Sequence, residues 1–109
     1  MAGTTPVLVH NCGGDKWASK GNLDRHFDDH GAEMGYQSPA EYGAGAEDLM
    51  CTCAGRRPGV IQKQEGSTNY FLDPESGEFG KTGDRGIVTY FKPDDPMDYY
   101  NRQPGVPVP

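Results

Sequence analysis

His26 and His30 stand four residues apart in the stretch Leu23-Asp24-Arg25-His26-Phe27-Asp28-Asp29-His30-Gly31. On a helix that spacing puts both imidazoles on one face. Two groups that titrate near neutrality suit general acid–base cleavage of a phosphodiester: one withdraws the proton of the attacking hydroxyl, the other supplies a proton to the leaving oxygen. The same spacing suits a zinc pair, but Phe27 stands where an HExxH motif needs glutamate. The plain alternative is a solvated helix with idle histidines, or one whose carboxyl end His30 merely caps. A second reactive group is His10-Asn11-Cys12, which closes the apolar run Pro6-Val7-Leu8-Val9. An asparagine amide can attack its own backbone carbonyl, form a succinimide and cut the chain after itself, with the neighbouring histidine assisting proton transfer. On that reading Met1–Asn11 is the end of an upstream processing module and Cys12 opens the released segment. An edge strand followed by a turn is the ordinary alternative.

Partners for the histidines come from the second half of the chain. In Phe79-Gly80-Lys81-Thr82, strand alternation puts Phe79 and Lys81 on one face; in Ile87-Val88-Thr89-Tyr90-Phe91 it puts Ile87, Thr89 and Phe91 together. A hydroxyl between two large apolar side chains is costly to bury unpaired. Beside a phosphate, Thr89 can donate a hydrogen bond, and Lys81 or Arg85 can stabilise charge on a pentacoordinate intermediate. Thr and Tyr are also ordinary strand formers, and Lys81 can simply be solvated. Arg56 and Arg57 either hold RNA backbone or complement the end of a preceding helix. Tyr70, Tyr90, Tyr99 and Tyr100 either stack on bases or pack the core. Cys51-Thr52-Cys53 lacks the CxxC spacing and repeat of a zinc site, so neither metal nor cofactor is expected.

The elements that must position these groups fall into two kinds. The first predicted helix runs from Leu23 to His30, with Asn22 as N-cap and Gly31 as its exit. The second has the stronger start: Ser38 as N-cap, Pro39 in the first turn and Glu41 closing a capping box, with Tyr42, Ala46, Leu49, Met50 and Cys53 as the inward stripe. Gly43 and Gly45 weaken it by roughly 1 kcal/mol each relative to alanine. Beyond Gly55 the period changes toward two. Val60–Gln64 and Thr68–Leu72 flank Glu65-Gly66-Ser67, and Phe79–Thr82 and Ile87–Phe91 flank Gly83-Asp84-Arg85-Gly86, which predicts two hairpins joined by the turn Asp73-Pro74-Glu75-Ser76-Gly77. Pro93, Pro96, Pro104, Pro107 and Pro109 exclude central strands from the tail. Helices followed by an antiparallel meander predict an α+β fold.

The chain has 109 residues, of which 34% are hydrophobic, with 16 glycines and 9 prolines, so one small domain with a modest core is expected. No apolar run is long enough to span a membrane, and no signal peptide is recognisable. Net charge is −6, from 16 acidic and 10 basic residues. That argues against a broad surface for duplex DNA but leaves room for one local cationic pocket. Three cysteines, two of them at Cys51 and Cys53, argue against a disulfide scaffold.

Two resemblances add to this reading. Residues 1–11, ending in His10-Asn11, resemble the terminal strand of the Hint (intein-like) pretoxin modules that precede the warheads of secreted bacterial polymorphic toxins. Leu23 to Gly31, Ser38-Pro39-Ala40-Glu41-Tyr42, and Gly77-Glu78-Phe79-Gly80 through Ile87 to Pro93 resemble the barnase/EndoU/colicin E5–D/RelE-like toxin group. The resemblance implies N-terminal helices on a curved antiparallel sheet of about four strands, and metal-independent RNA cleavage. It implies a site formed by His26 or His30, Lys81 and Thr89, with Arg25, Arg56, Arg57, Arg85 and Tyr90 as RNA contacts. Related helices carry lysine where Asp29 stands here, a cationic contact that Arg25 can replace. The implied organisation is a processing remnant at 1–11, a linker at 12–21, a toxin domain at 22–103 and a flexible tail at 104–109. The expected partners are RNA, tRNA among others, a cognate immunity protein, and the processing and delivery domains of a larger secreted toxin that acts in the target-cell cytoplasm. No membrane insertion by this domain is expected.

Overall fold

Ser38-Pro39-Ala40-Glu41 starts the longest helix as its cap chemistry requires: the Glu41 N–H donates to Ser38 Oγ at 3.2 Å, and Glu41 Oε1 accepts from the Gln37 N–H at 3.1 Å. In the computed structural model, which describes residues 17–50 and 56–108, this helix, α2, spans Pro39–Met50. It buries Tyr42, Ala46, Leu49 and Met50, the stripe predicted from spacing. His10, Asn11 and Cys12 lie outside the described residues, as do Cys51 and Cys53.

Helix α1, Lys20–His26, starts almost a turn before the predicted position because Ser19, not Asn22, is its N-cap; Ser19 Oγ accepts from the Asn22 N–H at 3.1 Å. The Asn22 amide is used elsewhere, donating to the Val88 carbonyl at 3.2 Å. Residues 17–21 of the segment read as a linker therefore belong to the fold. Trp17 forms a parallel bridge with Ile87, and the Ala18 N–H donates to the Ile87 carbonyl at 2.9 Å. α1 continues into a π-helical turn over Phe27–Gly31. Gly31 is needed there, since a Cβ would lie 2.3 Å from the Phe27 ring.

Five strands follow: β1 Ile61–Glu65, β2 Thr68–Leu72, β3 Phe79–Gly83, β4 Gly86–Phe91 and β5 Val106–Pro107. They form an antiparallel sheet in the order β4-β3-β2-β1-β5. Both predicted hairpins are present, and the fold is α+β with helices preceding an antiparallel sheet. The expected curved sheet of about four strands is corrected to an open sheet of five. The residues read as a flexible tail supply the extra strand: Val106 and Pro107 pair with Gln64 and Lys63, and the Val108 N–H donates to the Gln62 carbonyl at 2.9 Å. Proline is tolerated because β5 is an edge strand.

A short helix, α3, Pro96–Asn101, was not predicted from the proline-rich sequence. Asp95 caps it by accepting from the Asp98 N–H at 3.3 Å, and Pro96 stands in its first turn. At its other end Lys63 Nζ donates to the carbonyls of Tyr100, Asn101 and Gln103 at 3.0, 3.2 and 3.0 Å, satisfying acceptors a helix end leaves open.

The sheet is packed on both faces. Against α2 lie Val60, Phe71, Ile87 and Tyr90, with Trp17, Leu23, Phe27, Met34 and Tyr36 closing the rim. On the opposite face Tyr70, Leu72 and Phe79 pack with Tyr100, flanked by Phe91 and Tyr99. Ile87 breaks the alternation expected of β4. Lys81 pairs with Thr89 but Thr82 pairs with Ile87, so Val88 is an extra residue on β4. This bulge turns Ile87 toward α2, while Thr89 and Phe91 remain on the other face. Among the described residues no helix is long and apolar enough to cross a membrane.

Candidate active site

The β3–β4 register makes Lys81 and Thr89 direct cross-strand neighbours and Phe79 and Phe91 the next pair on that face. Both Lys81 and Thr89 are half-buried. Lys81 Nζ lies 5.7 Å from the centre of the Tyr70 ring, a cation–π contact, and makes no ion pair among the described residues. Of the two histidines, His30 reaches this face, at the edge strand β4. His30 stacks on Phe91 with 5.0 Å between ring centres and 30° between planes. Phe91 is two residues from Thr89, about 7 Å along a strand, and so links the imidazole to the Lys81–Thr89 pair.

His26 and His30 are stacked, 6.0 Å apart at 26°. The π turn accounts for the alignment. Its wider i→i+5 ring holds more residues per turn than the 3.6 of an α-helix, so side chains four apart come nearly into line. The two imidazoles are not equivalent. His26 packs 5.7 Å from Trp17, and its Nδ1 is buried without a hydrogen-bond partner. His30 keeps 27% of its side chain exposed, and its Nδ1 lies 3.2 Å from Glu33 Oε2. Sequence reasoning passed over Glu33, although an i,i+3 carboxylate after a histidine is a readable signal.

The remaining predicted RNA contacts divide. Arg25 is exposed on α1, its guanidinium donating to Asn22 Oδ1 at 3.2 Å. Arg85 is exposed at the tip of the β3–β4 hairpin. Arg56 donates to Gln62 Oε1 at 2.9 Å. Arg57 and Tyr90 are engaged within the fold. Arg57 donates to Asp48 and Asp73 at 2.7 Å each and to Glu78 at 2.5 Å. Tyr90 is fully buried on the α2 face, where its hydroxyl donates to Glu78 and cannot stack on a base.

These two residues instead belong to a buried polar chain. The Tyr90 proton is committed to Glu78, so the Tyr36 hydroxyl, 2.9 Å away, is the donor to Tyr90. The Tyr42 hydroxyl donates to the Tyr90 carbonyl, and Ser76 Oγ donates to Glu78 at 2.7 Å. Gly45 permits this approach, since a Cβ there would lie 2.0 Å from the Tyr36 oxygen. Burial raises the Glu78 carboxyl, but hydrogen bonds from Tyr90, Ser76 and Arg57 outweigh it and hold Glu78 below its ordinary value. Burial likewise raises Asp73, and hydrogen bonds from Arg57, Glu75 and Ser76 bring it down. Tyr90 itself is pushed strongly upward, first by burial and then by Glu78.

His26 is pushed below its ordinary 6.5 by burial, then by the charges of His30 and Arg25, against smaller upward pulls from Asp29 and the Val88 carbonyl. The unfolded chain therefore binds a proton that the folded chain resists. The contribution of His26 to stability is complete above 6.5 and declines as pH falls below it toward the folded pKa. The ring of Trp17, the single tryptophan, reports this directly. Its fluorescence is expected to be quenched by the imidazolium with a midpoint below 6.5, and His26→Gln is expected to abolish the transition. An unchanged transition in that variant assigns the titration to another group.

Among the described residues no group of three or more His, Cys, Asp or Glu side chains is arranged to hold a metal. A scan against protein-family models and a search of curated proteins return no match. The fold and site therefore define the class of molecule as far as an α+β domain carrying a histidine–carboxylate pair beside a lysine–threonine strand pair.

Proposed function

We propose that this chain is the toxin domain of a secreted bacterial polymorphic toxin and a metal-independent endoribonuclease acting on tRNA or another structured RNA. The observation that supports the reading is the stacking of His30 on Phe91, which shares a sheet face with the cross-strand pair Lys81 and Thr89. A non-enzymatic binding module would be favoured by histidines and threonine directed to separate surfaces; the stacking on Phe91 weighs against it. In the proposed reaction His30 takes the proton of the ribose 2′-hydroxyl, whose oxygen attacks the adjacent phosphorus. Lys81 offsets charge on the phosphoryl oxygens and Thr89 donates a hydrogen bond to them. The imidazolium so formed is the proton source for the departing 5′-oxygen. The products are a 2′,3′-cyclic phosphate and a 5′-hydroxyl, and DNA resists for want of the nucleophile.

Of the predicted RNA contacts, Arg25 and Arg85 are exposed and available to RNA backbone. His26, sealed against Trp17, supports His30 by stacking. The partners that go with this reading are an immunity protein covering the Lys81–Thr89 face and upstream delivery and processing domains. Release between Asn11 and Cys12 belongs to the same proposal.

Incubation with total tRNA followed by mapping of the new ends tests the reading. Wild-type protein is expected to leave 2′,3′-cyclic phosphate and 5′-hydroxyl termini and to work in excess chelator. Lys81→Met is expected to cost about 10²–10³-fold, the scale of losing one charge-stabilising donor. Thr89→Val is expected to cost less while keeping the strand's β-branching. Ends bearing 5′-phosphate, or activity abolished by chelator, would sink the mechanism.

A further inference from the structure

Resting on the proposed role of His30, we infer that Glu33 is a positioning residue that holds the neutral His30 imidazole as its Nδ1–H tautomer and leaves Nε2 as the proton acceptor. The contact is His30 Nδ1 to Glu33 Oε2 at 3.2 Å. Glu33 keeps 55% of its side chain exposed, and its carboxylate only accepts, which places the hydrogen on Nδ1. Among the described residues Nε2 has no hydrogen-bond partner. The ring is held on two sides, by Phe91 at 5.0 Å and His26 at 6.0 Å.

The backbone that carries Glu33 is fixed by four hydrogen bonds, one of them from the Gly35 N–H to the Ala32 carbonyl at 3.1 Å. The Met34 N–H donates to the His30 and Gly31 carbonyls, each at 3.2 Å, and the Tyr36 N–H donates to the Gly31 carbonyl at 2.9 Å. The π turn and its exit therefore set the distance between imidazole and carboxylate. A histidine whose tautomer is chosen by a carboxylate has its reactive nitrogen chosen as well, which is how an acidic partner serves an imidazole base.

Nitrogen-15 NMR of the full chain, recorded with the His30 imidazole neutral, separates the two tautomers because protonated and bare ring nitrogens resonate far apart. Wild type is expected to show bare Nε2. Glu33→Ala is expected to move His30 toward the Nε2–H form, and Glu33→Gln, whose amide oxygen still accepts, to restore the wild-type pattern. In the RNA assay Glu33→Ala is expected to lose about 10-fold in kcat, far below the ~10⁴ of a buried carboxylate partner, because an exposed partner is screened. A His30 spectrum unchanged in Glu33→Ala overturns the inference, whatever the activity. The expected tautomer shift in a protein that cleaves no RNA overturns the ribonuclease reading and leaves the tautomer assignment standing.

Discussion

His30→Ala is expected to lower RNA cleavage by about 10²–10⁴-fold, the cost of removing a side chain that transfers the proton in the transition state. The fold should survive, because His30 lies at the surface, beside the rim of the sheet, and its loss leaves the core around Tyr42, Leu49 and Tyr90 intact. Circular dichroism and thermal melting check that survival, and end mapping on tRNA reads the activity. His26→Ala is expected to cost less, since its Nδ1 is sealed away from solvent. A folded His30→Ala protein that cleaves at the wild-type rate removes the catalytic proposal even if the domain is toxic to cells.

Arg57→Met is expected to produce the largest loss of stability, about 3 kcal/mol, at the low end for breaking a buried ion pair because a quarter of the Arg57 side chain is exposed. That is a large part of the ~5–15 kcal/mol available to a small domain. The variant leaves Asp73 and Glu78 without their countercharge. The sign of the pH dependence provides a control. Both carboxyls have folded pKa values below their ordinary 3.8 and 4.5, so their contribution is present above those values and is lost as pH falls through the folded ones. Protonated carboxyls need no arginine. The difference between wild type and Arg57→Met, measured by denaturant unfolding, should therefore narrow on acidification; a difference independent of pH sinks the account.

Local rules were legible where chain neighbours satisfy one another. Ser38 and Glu41 cap α2 because both partners lie within one turn, and the stripe Tyr42, Ala46 and Leu49 is buried as its spacing requires. Both hairpins could be read from turn residues between alternating segments, but the pairing of Lys81 with Thr89 on one face could not, since it depends on the extra residue Val88 in β4. The start of α1 was misread because Ser19 and Asn22 are both good caps, and a contact distant in sequence, Asn22 to Val88, decides between them.

What tertiary structure alone decided is where side chains with two plausible environments went. Ile87 reads as a companion of Thr89 and Phe91, yet the bulge at Val88 sends it to the α2 face beside Tyr90. Tyr90 reads as a base-stacking platform or a core residue, and Arg57 as a phosphate contact or a complement to a helix end; Glu78, from the β2–β3 connection, engages both. His26 and His30 share a helix face by spacing, but Trp17 covers one and Phe91 supports the other. A sequence pattern specifies which residues face the same way along one element. Which of those faces is buried, paired or left to a substrate depends on the partner element packed against it, and that choice is made by the free energy of the whole core.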